Sequence, residues 1–108
     1  MPVHAQEIRF NCSGYIWQKA GWQQETAEES YFIINENGNE LMHFTPHLVS
    51  FYYIDNWHFD SEKNTLKAYI VSDADNRYQL EINEEKGSLH FWILDGENAG
   101  ADVIYTIK

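Results

Sequence analysis

Five histidines and a single cysteine are the side chains of this chain best suited to metal or nucleophilic chemistry. Three of the histidines fall in "HFTPHLVSFYYIDNWHFD", residues 43–60, among a dense run of rings. His43 and His47 are four apart, the spacing that puts two metal ligands on one face of a helix. Pro46, inside "HFTPH", calls for a turn instead and removes that geometry. His58 and His90 lie in other segments, and no spacing joins them into a ligand set. No metal and no cofactor are expected. A nucleophilic cysteine needs a histidine held against its thiol. Cys12, in "RFNCSG", reads instead as a small buried hydrophobe. There is no glycine-rich phosphate loop, no Gly-x-Ser-x-Gly elbow and no metalloprotease motif. "DADN" is too short for a calcium loop. The acids of "SDADN" and "NEEKG" read as turn formers. The sequence predicts no enzymatic activity.

The elements that would position these residues are strands. The chain has 108 residues, enough for one domain over 1–108 with a real core. Aromatic residues make up 16% of it, which argues against disorder. Turn signals recur at short intervals: "AGW", "NENGN", "YIDN", "SEKN", "SDADN", "NEEKG", "DGENAG". Between them lie segments of five to eight residues rich in Tyr, Phe, Ile, Val and Trp, the rhythm of an antiparallel all-β domain. "RYQLEIN" alternates Tyr78, Leu80 and Ile82 against Arg77, Gln79 and Glu81, as a half-buried strand does. "SLHFWIL", "TLKAYIVS" and "ADVIYTIK" alternate in the same way. "SYFIIN" and "LVSFYYI" are apolar on both faces, so they belong at the centre of a sheet or under a cover. Asn37-Gly38 suits a tight hairpin pairing 31–35 with 40–44. The loops at 61–64, 73–76 and 84–87 predict three more hairpins.

The prediction is an up-and-down meander of eight or nine strands, closed as a barrel or folded as a two-sheet sandwich. "QQETAEES", residues 23–30, is the one stretch that reads as a short helix or a charged loop. In shape this resembles the small up-and-down barrels of the lipocalin-like kind. "SGYIWQKAGW" places a Trp on the first long strand, as in many such barrels, although Gly14 and Trp17 are not in the usual Gly-x-Trp spacing. The resemblance implies a cavity for a small apolar ligand, lined by Trp17, Phe32, Ile34, Phe51 and Tyr53.

Charge points elsewhere. Seventeen acids face seven bases, for a net charge of −10. Residues 20–62 hold eight of the acids and no Lys or Arg. Such a field disfavours nucleic-acid backbones and anionic membranes, and favours encounter with a basic protein. Tyr and Trp near those acids are the residue types that anchor protein interfaces. The leading expectation is a non-enzymatic binding protein, either immunity-protein-like or a small inhibitor of a nucleic-acid enzyme. Its contact set would be Glu28, Glu29, Glu36, Glu40, Tyr53, Asp55, Trp57 and Asp60. A homodimer paired through the same rings is compatible with this. One cysteine allows no intrachain disulfide, and neither a signal peptide nor a membrane-length apolar run is present. That pattern predicts a cytoplasmic protein.

Overall fold

A computed structural model describes residues 7–35 and 39–108. Nine strands follow one another without a helix among the described residues: β1 (Glu7–Lys19), β2 (Trp22–Thr26), β3 (Ser30–Asn35), β4 (Glu40–Phe44), β5 (Val49–Asp60), β6 (Thr65–Ser72), β7 (Arg77–Asn83), β8 (Ser88–Ile93) and β9 (Asp102–Ile107). They form one antiparallel sheet in the order β2-β1-β3-β4-β5-β6-β7-β8-β9, and β1 also pairs with β9. That last pairing closes an eight-stranded barrel of β1 and β3–β9, with β2 as an extra strand. The barrel, not the sandwich, is therefore the architecture. The three expected hairpins are β5–β6, β6–β7 and β7–β8. β3 pairs with β4 from Tyr31↔Phe44 to Asn35↔Glu40; the Asn37-Gly38 turn lies outside the described residues.

The short helix over 23–30 does not form. Its first half is β2, which folds back on β1 from Lys19↔Trp22 to Tyr15↔Thr26. The cause is the turn before it. Ala20 (φ 52°) and Gly21 (φ 85°) both take positive φ, the two-residue hairpin turn whose twist matches that of its strands. Turn geometry and edge pairing override the helix propensity of Gln and Glu.

β1 carries the closure. Its first half, Glu7 to Cys12, pairs with β3. Its second half pairs with β2 on one edge and with β9, from Cys12↔Ile107 to Gln18↔Asp102, on the other. A bulge between Cys12 and Gly14 marks the change. The backbone of the β2–β3 link crosses there. A Cβ on Gly14 would stand 2.7 Å from the Thr26 carbonyl oxygen, closer than real Cβ contacts come.

Inside the wall the core is apolar: Phe32, Ile34, Leu41, Ile70, Leu80 and Leu89 are fully buried. A layer of six rings crosses the lumen, one each from β3, β4, β5, β7, β8 and β9. Phe32 stacks on His43 (centroids 3.9 Å apart) and meets Tyr105 edge-on at 5.0 Å. Phe91 contacts Phe32, Tyr52, Tyr78 and Tyr105 at 5.6–6.0 Å. Tilted and edge-to-face contacts of this kind add to the burial of each ring.

Two substitutions test the seam. Gly14→Ala should cost about 1–3 kcal/mol, because backbone must move to admit the methyl. Ala20→Gly relieves a positive φ and should be neutral or stabilise by up to about 1 kcal/mol. Urea unfolding of both variants checks the pair; a harmless Gly14→Ala contradicts the close crossing.

Candidate functional site

Ladder registers place side chains on the two faces of the wall. Outside, three rungs run across β3, β4 and β5. The first is Tyr31↔Phe44↔Val49, the second Ile33↔Met42↔Phe51, and the third Asn35↔Glu40↔Tyr53, continued to Val71 on β6. Eight apolar side chains thus share one outer face. Val49 is 43% exposed, Phe51 45% and Tyr53 61%. Tyr31 and Phe44 stack at 4.6 Å, and the Arg9 guanidinium lies 3.8 Å above the Tyr31 ring. A contiguous patch of this kind is uncommon on the surface of a lone domain and marks a contact surface. Glu40 stands in the third rung, and Asp55 protrudes from the β5 bulge beyond it, exposed.

The far side of the wall has the opposite character. Lys67 pairs with Glu81 at 3.7 Å. Glu81 faces His90 across β7–β8. His90 Nε2 lies 2.7 Å from Asp102 Oδ2, which also accepts from Gln18 Nε2 at 2.8 Å. This line of cross-strand polar pairs solvates β6–β9 and the end of β1. Trp92 stacks on the His90 ring at 3.6 Å.

The expected contact set divides accordingly. Glu40, Tyr53 and Asp55 come together on the outer face. Trp57 does not join them. A bulge between Ile54 and Asn56 reverses the alternation of β5, so Trp57 pairs with Ala68 and packs on the core. Asp60 is a turn former: its Oδ1 accepts the backbone N–H groups of Glu62 and Lys63 at 3.1 and 3.3 Å. Glu29 accepts from Lys108 Nζ at 2.6 Å, which holds its carboxyl below the usual range. Glu28 lies near Tyr105, whose phenol is pushed up chiefly by burial. Glu36 is outside the described residues.

The expected ligand set divides too. Phe32 belongs to the packed ring layer. Ile34 is buried beneath an open cavity at the end of the barrel that holds the β5–β6 turn. Trp17 sits toward the other end, edge-on to Trp22 at 5.5 Å. A ligand pocket needs Phe51 and Tyr53 to face inward; both face outward, as the contact set needs of Tyr53. Tyr52 and Ile54 take the inner positions of β5, where burial pushes the Tyr52 phenol up to about 12. "LVSFYYI" is apolar in both registers, so alternation alone does not say which set is inside.

Among the described residues the histidines do not converge. His47 and His58 are exposed, His90 is on the outer wall, and His43 is in the ring layer. No group of three or more metal-ligating side chains gathers among the described residues. Cys12 is fully buried, and burial raises its thiol to about 11, so it is protonated at neutral pH. The ring layer and the outer rungs are what sequence reading missed. The signal for the outer rungs is the two-sided apolarity of "SYFIIN" and "LVSFYYI", to which Met42 and Phe44 add. No known protein family, curated protein or solved structure matches the chain.

His43 generates a pH prediction. Its ring is 6% exposed and Nε2 finds no hydrogen-bond partner. Burial lowers its pKa from 6.5 to about 4. Between those values the unfolded chain binds a proton that the folded protein refuses. The stability is therefore fully present above pH 6.5 and is lost as pH falls toward 4, by up to about 3 kcal/mol. His43→Phe keeps the stack on Phe32 and should flatten this limb in unfolding curves recorded from pH 4.5 to 7. An unchanged slope in the variant contradicts the assignment.

Proposed function

We propose that this protein is a non-enzymatic binding domain that docks a basic protein through the outer face of β3, β4 and β5. The observation that carries the reading is the three-rung apolar block with Phe51 and Tyr53 at its exposed edge. Aromatic side chains on a rigid sheet lose little freedom on binding, and Tyr combines a large contact area with a polar tip. The chain's net charge of −10 raises the encounter rate with a cationic surface. Glu40 and Asp55, at one end of the block, supply the local acids that fix its orientation. Arg9, over Tyr31 and bonded to Asn11, keeps its positive charge at the β1 side of the block, so a basic partner is oriented away from it and toward Glu40 and Asp55. An immunity-protein-like role, or inhibition of a nucleic-acid enzyme, is the class of task this chemistry suits.

Affinity capture with three baits tests it: the native protein, Phe51→Ser/Tyr53→Ser, and Glu40→Lys/Asp55→Lys. The native bait should retain a basic protein at low salt. The first pair should lose it, each anchor contributing about 2 kcal/mol. The second pair should slow association and flatten its salt dependence. Retention that neither pair alters contradicts the reading. So does a stable homodimer by light scattering that the Phe51→Ser/Tyr53→Ser pair dissolves, because the face would then belong to a second copy.

A further inference from the structure

The described seam between β1 and β9 runs from Gln18↔Asp102 to the bond from Lys108 N–H to the Asn11 carbonyl at 2.8 Å. On the opposite side the β5–β6 hairpin continues to Asp60 and Thr65. Between the two lies a cavity of about 480 Å³, within the range of small-molecule sites. Its walls are Ile8, Phe10, Trp57, Phe59, Leu66 and Ile82. Phe10 and Ile82 are buried in the core. Phe10 is the cross-strand partner of Phe32, so the ring layer adjoins the cavity at that rung.

The β5 bulge makes these walls apolar. Had β5 alternated regularly past Ile54, Asn56 and His58 would point into the mouth. With the bulge, Trp57 and Phe59 do, opposite Ala68 and Leu66. Re-aiming side chains is what bulges do near sites. The device leaves Phe59 56% exposed, an apolar ring on a concave wall with one side wet. The polar lining is Asn39, Asn64 and Glu84. Both asparagines are held at positive φ, 51° each, which fixes their backbone beside the opening. Among the described residues no Lys, Arg or His lines the cavity, and Asp60 and Glu62 stand in the adjoining turn.

The geometry points to this mouth as a binding site for a small hydrophobic molecule, ring-bearing or branched, that carries no negative charge. The apolar walls supply the affinity and the two amides a place for a neutral polar group. Glu84, with the acids of the turn, turns away carboxylates and sulfonates. This site is independent of the docking face: Trp57 and Phe59 point into the mouth, Phe51 and Tyr53 away from the barrel.

The test is a fluorescence titration of the whole chain with uncharged N-phenyl-1-naphthylamine. The anionic 1-anilinonaphthalene-8-sulfonate is titrated beside it. The uncharged probe should saturate one site and quench tryptophan emission, and the anion should bind more weakly. Phe59→Asp puts a charge on an already exposed position and should weaken the uncharged probe about tenfold or more. Ile8→Trp fills the mouth from the opposite wall and should do the same. Both variants are first checked for native circular dichroism. Glu84→Lys should bring the anion's affinity up toward that of the uncharged probe. Phe51→Ser/Tyr53→Ser should change nothing here, whatever its effect on protein docking. The proposal is overturned if the uncharged probe does not saturate at one site. It is equally overturned if both folded mouth variants bind like the native chain, or if only the outer-face pair abolishes binding.

Discussion

A meander of strands ends in two unpaired edges, and this chain resolves both with one strand. β1 is 13 residues long, about 43 Å of extended chain. It serves β3 and then β2 along one edge and β9 along the other. Closure pairs β1 with β9, two edges that would otherwise recruit other chains, and leaves one edge of β2 free. β9 pairs with β1 from Cys12 to Gln18, and the bulge between Cys12 and Gly14 falls at one end of that seam.

Closure explains which side chains are free to act. Six rings are needed to fill the lumen, and they are spent there: Phe32, His43, Tyr52, Tyr78, Phe91 and Tyr105 touch one another and little else of a ligand's size fits between them. Of the remaining rings, Tyr15 packs on Tyr105, Trp17 meets Trp22 toward the other end, Phe10, Trp57 and Phe59 line the mouth, and Phe51 and Tyr53 are outside. The outer wall is then uneven by composition. β6 to β9 carry paired polar groups, while β3 to β5 carry a continuous apolar block. An antiparallel sheet facing water normally alternates apolar with polar; here the half that does not is the half with a reason to be covered.

Strand class, strand count and most inward sets were legible because they rest on period-two alternation. Leu80, Ile82, Leu89, Phe91, Ala68 and Ile70 are inside, as their spacing indicates. The failures have physical causes. In "LVSFYYI" both registers are apolar, so the direction of Phe51 and Tyr53 is decided by the ladder with β4, not by local pattern. Past Asp55 a bulge inverts the parity, which sent Trp57 to the wrong face; a single inserted residue leaves no compositional trace. In "QQETAEES" helix formers are held as strand by a turn two residues upstream. The acidic half of the chain was legible as a number but not as a place. Glu29 is tied to Lys108 and Asp60 to its own turn, leaving Glu40 and Asp55 beside the rings. Net charge is a sum over a chain, and a binding face depends on position.

Amide hydrogen exchange measured residue by residue tests the closure from which all this follows. If β1 and β9 are paired as described, the amides of Val103–Ile107 and of Tyr15–Gln18 exchange as slowly as those of β6 and β7, in the middle of the sheet. Rapid exchange throughout β9, like that of a free edge strand, would show an open sheet and would contradict the account.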